Sequence, residues 1–496
     1  MNIRALQLGN IDYSRQFTLS PDIEWNYEPT LDMTDAEYDI AIIDRQLNDQ
    51  EANILARIVR AYSLFVLDDV LLSDRMVYMM QSRCGQKIAR NELPSFLEKQ
   101  ILNYFGRPYG EKFDPHTVAI TPGFQGRVYW NGFTEIVMEG NFGSQMKQAL
   151  YWRGNIPVEA GQAIDFWLEY ETSGDIEIEL QIVQFVSGSV ASIQKIWTFD
   201  EKTLRHPVTI ENKKQDGPVF ISLHAKGKGK LHLIALHDRY SRRGAGSFLP
   251  GSQRIVTNDR EEIFAYLDPG DLKPPLCVYF SGYKTMEGFE GYHMMRRMGT
   301  PFLLISEARL EGGSFYLGNE EFENCLKDVI EKAMQALGFT HDQVVLSGLS
   351  MGTFGALYYG TMLRPGYIIV GKPLVNLGSM AKAERIERPG GFPTSLDVLW
   401  KQYHHLDQKA IDQMNQHFWE KFDQADWTGR AFYVAYMIED DYDAHAYAKL
   451  ISHMQGRGAR IIGKGLHGRH NDDTSGIVHW FLRQYRRILR DGFGRK

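Results

Sequence analysis

Gly348-Leu349-Ser350-Met351-Gly352 is the stretch that decides the fold of this chain. It fits the pattern G-x-S-x-G. A β-rich run from Gln343 leads into it, and a helical run from Thr353 to Leu363 follows it. A strand, a sharp turn and a helix form the context in which this pattern lifts a serine hydroxyl clear of a sheet. The stretch therefore predicts Ser350 as a nucleophile, the alternative being a tight turn with a passive serine.

A serine nucleophile needs a base, and the base needs an orienting carboxylate. In hydrolases with this elbow, the acid and then the histidine follow the serine along the chain, each after a late strand. A predicted strand ends at Met437-Ile438, and a further one covers Arg460 to Ile462. His467 and His470 both follow the second strand. We favour His470 as the base because it lies nearer the last helix, and His467 remains the alternative.

The acid has two candidates. Glu439 comes first after the strand, whereas Asp440 better fits a G-x-x-D spacing, although Met437 stands where that glycine would be. The residues alone leave this choice open. The same acidic run and histidines could instead hold a metal ion, but no H-E-x-x-H or comparable spacing supports that, so we predict no metal site.

The oxyanion of an acyl-transfer reaction needs N–H donors fixed in advance. We expect one to be the backbone amide of Met351. The second should come from the loop after the first core strand, at Gly282 or Tyr283, with Gly282 preferred because a glycine lets the backbone turn its N–H toward the site.

Composition limits the function classes. The chain has 496 residues, so several domains are expected, and its net charge of −7 gives no support to nucleic-acid binding. No apolar run approaches the ~20 residues of a membrane span, and the N-terminus does not resemble a signal peptide. The cysteines Cys84, Cys277 and Cys325 are odd in number and far apart, which favours a reducing, cytoplasmic location.

Hydrophobic patterning divides the chain into three regions of α/β, β and α/β type. Residues 1–115 alternate strands and helices, including strands at Ile3–Leu8 and Asp39–Asp44, and predict a small βαβ, Rossmann-like domain. This region lacks G-x-G-x-x-G and G-x-x-x-x-G-K-[ST], so phosphate binding is not indicated and a docking role is favoured.

Residues 116–245 show short alternating strands separated by turn signals, which predicts a β-sandwich of jelly-roll type. Such domains often bind carbohydrate, and this one contains Trp130, Trp152 and Trp167, although most of these aromatic side chains are expected in the core. Lys226 to Lys230 is interpreted as a solvated hairpin turn.

Residues 246–496 alternate buried strands with helical runs, which predicts a doubly wound parallel sheet of the α/β-hydrolase type. An insertion at 379–429, rich in tryptophan, precedes the strand that should carry the acid. Insertions at this position commonly cap an active site.

The elbow, the order of serine, acid and histidine, and the three-part layout together resemble the accessory secretory protein two family. That family belongs to the accessory Sec system, which exports serine-rich-repeat glycoprotein adhesins. The resemblance runs from Ile3-Arg4-Ala5-Leu6-Gln7-Leu8-Gly9 to Gly468-Arg469-His470-Asn471-Asp472, and its most specific segments are Gly348–Gly352 and Gly465–Asp473.

The resemblance implies an acetyltransferase that O-acetylates N-acetylglucosamine on the adhesin before export, together with a separate role in transport. It implies a catalytic triad of Ser350, Glu439 and His470, which is why we choose Glu439 over Asp440. An acetyl donor of unknown identity is required, with no bound cofactor. The implied partners are the glycoprotein substrate, the other accessory secretory proteins and the motor ATPase, with a location in the cytoplasm or peripheral at the translocon.

Overall fold

Three β-sheets follow one another along the chain in the computed structural model, which describes residues 3–34, 36–189, 191–212 and 216–495. The first sheet is parallel, with strand order β2-β1-β3-β4-β5. Its strands are β1 (Ile3–Leu8), β2 (Ile23–Glu28), β3 (Ile40–Ile43), β4 (Leu64–Leu67) and β5 (Gln86–Ile88). The parallel sheet expected for the first region is thus present, although sequence patterning missed β2 and β5.

The helices beside this sheet are α1 (Asp49–Ile58), α2 (Asp74–Ser82) and the single turn α3 (Leu93–Ser95). Helix α1 begins with a capping box, in which Asn48 accepts the Glu51 N–H and Glu51 accepts the Asn48 N–H. Helix α2 ends at Ser82, and the chain then enters the short strand β5.

The second sheet has ten strands, and its pairings are antiparallel. Its strands are β6 (Gly110–Phe113), β7 (Val118–Ile120), β8 (Gln125–Asn131), β9 (Glu135–Trp152), β10 (Ile156–Val158), β11 (Ala163–Gly174), β12 (Glu177–Phe185), β13 (Ile193–Asp200), β14 (Val208–Glu211) and β15 (Gly217–Tyr240). β6 belongs here although it lies before residue 116. The predicted β-sandwich would have two separate sheets. In the structure these strands form one hydrogen-bonded sheet, because long strands such as β15 pair with both β9 and β11.

The predicted hairpin at Lys226–Lys230 is wrong, because these residues lie inside β15. Gly227 has φ +96°, and the pairing of β15 with β9 shifts register on both sides of it. A Cβ at Gly227 would lie 1.8 Å from the Asp175 carbonyl oxygen. The glycines therefore permit a bulge and a close approach of two backbones rather than a chain reversal.

The third sheet has the order β16-β17-β19-β18-β20-β21-β22-β23 and is parallel from β19 onward. Its strands are β16 (Gln253–Val256), β17 (Glu262–Asp268), β18 (Leu276–Phe280), β19 (Phe302–Glu307), β20 (Val344–Leu349), β21 (Tyr367–Gly371), β22 (Ala431–Met437) and β23 (Arg460–Leu466). β16 and β17 add an antiparallel edge that the prediction of a parallel sheet did not include.

Helices cover both faces of the third sheet or belong to the insertion. They are α4 (Tyr292–Arg296), α5 (Glu320–Leu337), α6 (Met351–Leu363), α7 (Leu377–Ile386), α8 (Thr394–Tyr403), α9 (Gln408–Gln424), α10 (Ala446–Met454) and α11 (Thr474–Phe493). Helices α7 to α9 form the insertion predicted at 379–429. Within the described part of the chain, none of the helices is both long and apolar enough to cross a membrane.

A buried ion network joins the second and third sheets. Arg239 of β15 donates to both oxygens of Glu262 on β17, at 2.7 and 2.6 Å, and to Glu287. His237 of β15 also contacts Glu287, at 2.5 Å. Burial opposes a charge on His237, but Glu287 and Glu169 raise its pKa to about 9. Because breaking one partner would leave a buried charge, this contact fixes the two sheets against each other.

Candidate active site

The turn between β20 and α6 has the geometry of a nucleophile elbow. Ser350 sits there with φ +51° and ψ −121°, a conformation that is rare for a residue with a side chain. A Cβ on Gly348 would lie 2.3 Å from the carbonyl carbon of Gly352, and a Cβ on Gly352 would lie 2.1 Å from the Phe280 carbonyl oxygen. Both glycines are therefore required by close packing of the turn.

Ser350, His470 and Asp440 form a hydrogen-bonded chain. Ser350 Oγ lies 2.9 Å from His470 Nε2, and His470 Nδ1 lies 2.9 Å from Asp440 Oδ2. His470 is 1% exposed and Asp440 7%. The preference for His470 over His467 agrees with this contact.

The structure does not place Glu439, the triad acid that the resemblance implies, against His470, whose Nδ1 meets Asp440. Glu439 instead accepts the Gly468 N–H at 2.6 Å and lies 3.1 Å from His467 Nδ1. The side chain of His467 is 86% exposed, so this second pair points to solvent. The reason is the tight turn after β22, in which Asp440 is buried while its neighbours Glu439 and Asp441 are exposed.

Asp440 is held as a carboxylate. Burial opposes its ionisation, but the hydrogen bond and charge of His470, together with the N–H groups of Tyr442 and Asp443, keep its pKa below the usual range. These two N–H groups approach Asp440 Oδ1 at 2.8 and 3.1 Å. One oxygen of Asp440 thus accepts the two backbone N–H groups, and the other contacts the His470 imidazole.

Asp443 anchors this acid loop. Its Oδ2 accepts the N–H groups of Val375 and Asn376 at 2.8 and 2.7 Å, and its Oδ1 accepts from the Asn376 side chain at 2.8 Å. Burial raises the pKa of Asp443 even though these donors oppose the shift. The sequence alone did not distinguish the anchoring carboxylate of Asp443 from the other acidic residues of this run.

Of the two predicted oxyanion donors, only one is open. Met351 begins α6, so its N–H has no acceptor within the helix. The N–H of Gly282 is already donated to Glu290 Oε2 at 2.6 Å, which corrects its assignment in this conformation. The loop itself is close to the elbow, since a Cβ on Gly282 would lie 3.2 Å from the Leu349 carbonyl oxygen. Tyr283, the alternative in the same loop, follows it directly.

Aromatic side chains extend from the histidine to the insertion. The Tyr442 ring packs edge-on against the His470 ring with centroids 4.4 Å apart, and Phe392 of the insertion lies 5.7 Å from Tyr442. Phe392 also contacts Tyr283, at 5.5 Å. The insertion therefore reaches the site, as expected for a cap.

One lysine near the site was not predicted from the sequence. Lys372 follows β21 directly, is 6% exposed and has φ +58°. Burial lowers its pKa, although the charges of Asp440 and Glu290 oppose the shift. Its place at the carboxyl end of a parallel strand was the available signal, because residues at that edge converge on the site.

A separate group could offer metal ligands. Glu169, His237 and Glu262 bring one possible ligand atom each to within 4.8 Å of one another. Both oxygens of Glu262 already accept hydrogen bonds from Arg239. These residues belong to the buried ion network between the sheets.

Comparison with known proteins places the whole chain. The model of the accessory secretory protein two family, described as "Accessory Sec system GspB-transporter", matches residues 3–495. The chain is 36% identical to the member of that family from Streptococcus gordonii over 508 residues, covering 100% of this chain and 99% of the relative. It is also 36% identical to the corresponding accessory Sec system protein of Staphylococcus aureus (strain NCTC 8325 / PS 47) over 509 residues, covering 99% and 97%.

A solved structure matches over the same length. A chain of the "Glycosylation Associate Protein (Gap123) complex from Streptococcus agalactiae" is 35% identical, with a TM-score of 0.88 and coverage of 100% of this chain and 99% of that one.

Proposed function

The chain belongs to the accessory secretory protein two family of the accessory Sec system, and we propose that it is a serine-dependent O-acetyltransferase that acetylates N-acetylglucosamine on a serine-rich-repeat glycoprotein and supports the export of that glycoprotein. The observation on which this depends most is the chain of two 2.9 Å contacts from Ser350 through His470 to Asp440. The strand order of the third sheet and the strained elbow support an α/β-hydrolase type of catalytic domain.

In the proposed acylation step, Ser350 Oγ attacks the carbonyl carbon of an acetyl donor while His470 Nε2 takes the hydroxyl proton. The negative charge that develops on the carbonyl oxygen faces the Met351 N–H, and we assign the second donor to Tyr283 because Gly282 is occupied. The leaving group departs with the proton from His470. Asp440 remains ionised and stabilises the imidazolium that forms.

In the second step, a sugar hydroxyl attacks acetyl-Ser350, His470 takes the hydroxyl proton, and Ser350 recovers a proton as it leaves. Transfer requires the sugar to outcompete water for the acyl-enzyme. The ring contacts among Tyr442, Phe392 and Tyr283 support this, because an apolar wall beside His470 reduces access of water.

The test compares two separate variants, Ser350→Ala and the control Ser14→Ala, which removes an exposed serine of the first region. Purified protein is incubated with an activated acetyl ester and N-acetylglucosamine, and acetyl-enzyme and acetylated sugar are measured by mass spectrometry. We expect Ser350→Ala to lower the rate of acetylation about 10⁴-fold and Ser14→Ala to leave it unchanged. Undiminished acetylation by Ser350→Ala would remove the catalytic proposal.

Two alternatives use the same chain differently. A carbohydrate esterase would have the same triad, since these contacts do not select the acceptor. It would release acetate without acetylated sugar even at high sugar concentration. A non-catalytic export scaffold would show neither product, and export in cells would be unaffected by Ser350→Ala.

The proposed partners are the glycoprotein substrate, the other accessory secretory proteins and the motor ATPase. Similarity along the full chain to a protein of the Gap123 complex supports assembly with other accessory proteins. A cytoplasmic location, peripheral at the translocon, completes the proposal.

A further inference from the structure

We infer that a cleft between the second sheet and the insertion, which we call the Trp400 cleft, is a second carbohydrate-binding site that holds the acceptor chain while Ser350 acetylates one of its sugars. This inference rests on the proposed function, and it adds an oligomeric acceptor to it. The Trp400 cleft is lined by Glu135, Glu171 and His232 of the second sheet, by Arg309 after β19, and by Trp400 and His404 of the insertion.

The size and position of the cleft suit a small-molecule ligand. Its volume is about 510 Å³, which lies within the usual range for ligand pockets, roughly 300–1,000 Å³. It is lined by three parts of the chain, and boundaries between domains are frequent places for such sites. Helix α8 fixes one wall, because Asp397 accepts the Phe133 N–H at 2.9 Å and so attaches the insertion to the second sheet.

The lining favours a neutral ligand rich in hydroxyl groups. Trp400 is half-buried, so part of its ring remains available as a flat apolar surface. Glu171 is exposed at the cleft. Glu169 is 5% exposed and approaches His237 Nε2 at 3.6 Å, which is longer than a hydrogen bond. Both carboxylates therefore keep acceptor capacity for ligand hydroxyls.

Charge argues against an anionic ligand. Six carboxylates line the cleft but only three lysine or arginine side chains. Two of those basic groups are engaged with Glu261, which lies 2.5 Å from Lys401 and 3.3 Å from Arg309. A nucleotide or another phosphate-bearing acetyl donor would meet net repulsion here, whereas a neutral oligosaccharide would not.

Shared elements connect the cleft to the nucleophile. Arg309 and Gly318 line the cleft at the two ends of one loop, and Gly313 in the middle of that loop packs against the Met351 side chain. Lys112 lines the cleft and also a small cavity bounded by Gly282 and Met351. The loop that carries Arg309 and Gly318 thus connects the cleft to Met351, the residue directly after the nucleophile.

The tryptophans of the second sheet do not offer an equivalent surface. Trp152 and Trp167 are each 2% exposed and belong to the core, as expected for most of these aromatic residues. Trp130 is 44% exposed but lies outside the cleft. Trp130 is therefore the matched control for Trp400.

The experiment measures binding of an N-acetylglucosamine tetramer by titration calorimetry to the full chain carrying Ser350→Ala, which prevents turnover. Adding Trp400→Ala should weaken binding about tenfold, and adding Trp400→Phe should restore most of it. Adding Trp130→Ala should change nothing. Equal affinity with and without Trp400→Ala, or a loss caused by Trp130→Ala instead, would overturn the inference.

Kinetics with Ser350 intact separate this inference from the proposed function. Trp400→Ala should raise KM for the tetramer about tenfold while leaving acetyl-Ser350 formation and transfer to the monosaccharide unchanged. Formation of acetyl-Ser350 with no tetramer binding would overturn the inference about the Trp400 cleft but would agree with the proposed function. Tetramer binding through Trp400 with no formation of acetyl-Ser350 would agree with the inference about the cleft but would contradict the proposed function.

Discussion

Two acid–histidine pairs stand side by side in this protein, built from the same two loops. Asp440 and His470 meet at 2.9 Å, while Glu439 and His467 meet at 3.1 Å. Each pair joins the segment after β22 to the segment after β23. The buried pair touches Ser350, whereas the exposed pair touches no nucleophile in the described part of the chain.

The difference between the pairs is one of environment. The Asp440 and His470 side chains are 6% and 1% exposed, against 52% and 86% for Glu439 and His467. In water, an exposed pair is weakened by solvent and contributes little. In the interior, a carboxylate can fix the tautomer and orientation of an imidazole. The direction in which the side chains leave the turn therefore decides which pair contacts Ser350.

The largest difference between the two pairs should appear when each histidine is removed. In the proposed mechanism His470 accepts the Ser350 proton, so we expect His470→Ala to lower acetyl-enzyme formation about 10⁴-fold. His467→Ala should leave the rate within about twofold, because its ring faces solvent. Stopped-flow acylation by an activated acetyl ester measures both. Comparable losses in the two variants would mean that the pairs are not distinct.

Removing each acid is the next largest effect. Asp440→Asn keeps the shape but loses the charge that would stabilise the imidazolium in the proposed mechanism, so we expect a loss of roughly 10³- to 10⁴-fold in kcat. Glu439→Gln should be nearly silent. The same acylation assay applies, with circular dichroism to verify folding. A large loss with Glu439→Gln and none with Asp440→Asn would restore the acid chosen from the sequence.

These same residues show which parts of the fold and of the site could be predicted from the sequence. The buried strands and the elbow were predictable because β-branched runs and the glycines of G-x-S-x-G reflect local packing. The loops holding the acid and base were predictable from chain order. The choice between Glu439 and Asp440 was not, because it depends on how the backbone turns after Met437, and that turn is set by long-range hydrogen bonds to Asp443.

Other features depended on tertiary contacts in the same way. Occupation of the Gly282 N–H by Glu290 joins residues eight positions apart through a loop whose path no local pattern specifies. Lys226–Lys230 has the composition of a turn, yet neighbouring strands hold it as a bulged strand. Composition identified the glycines but not the partner backbones that require them.

A smaller effect should follow from loosening the anchor of the buried pair. Asp443→Asn would place an amide N–H₂ among the donors of Val375 and Asn376, so the acid loop should shift. We expect acylation to slow roughly 10- to 100-fold, since displacing a catalytic group by about 1 Å can cost that much. Asp412→Asn, an exposed aspartate on α9, is the control. A rate unaffected by Asp443→Asn would show that Asp440 is positioned without the anchor.

The smallest effect distinguishes the pairs through stability rather than rate. The pKa of Asp440 is lower in the folded protein than its usual value because His470 and backbone N–H groups outweigh burial. The ionised carboxylate of Asp440 therefore stabilises the fold at pH values above the usual aspartate pKa of about 3.9. This stabilisation is lost as the pH falls through the lowered pKa of the folded protein. Asp440→Asn should cost about 1 kcal/mol in the free energy of unfolding at pH 7. The cost should shrink toward pH 3.

The pKa of Glu439 is lowered as well, by the Gly468 N–H and by His467, so the sign of its pH dependence is the same. Since its carboxylate is exposed, solvent screens the interaction, and we expect no measurable cost for Glu439→Gln at either pH. Urea unfolding of both variants at pH 7, 5 and 3.5 makes the comparison. Equal, pH-dependent losses in the two variants would show that burial does not separate these pairs, because the exposed carboxylate would then stabilise the fold as much as the buried one.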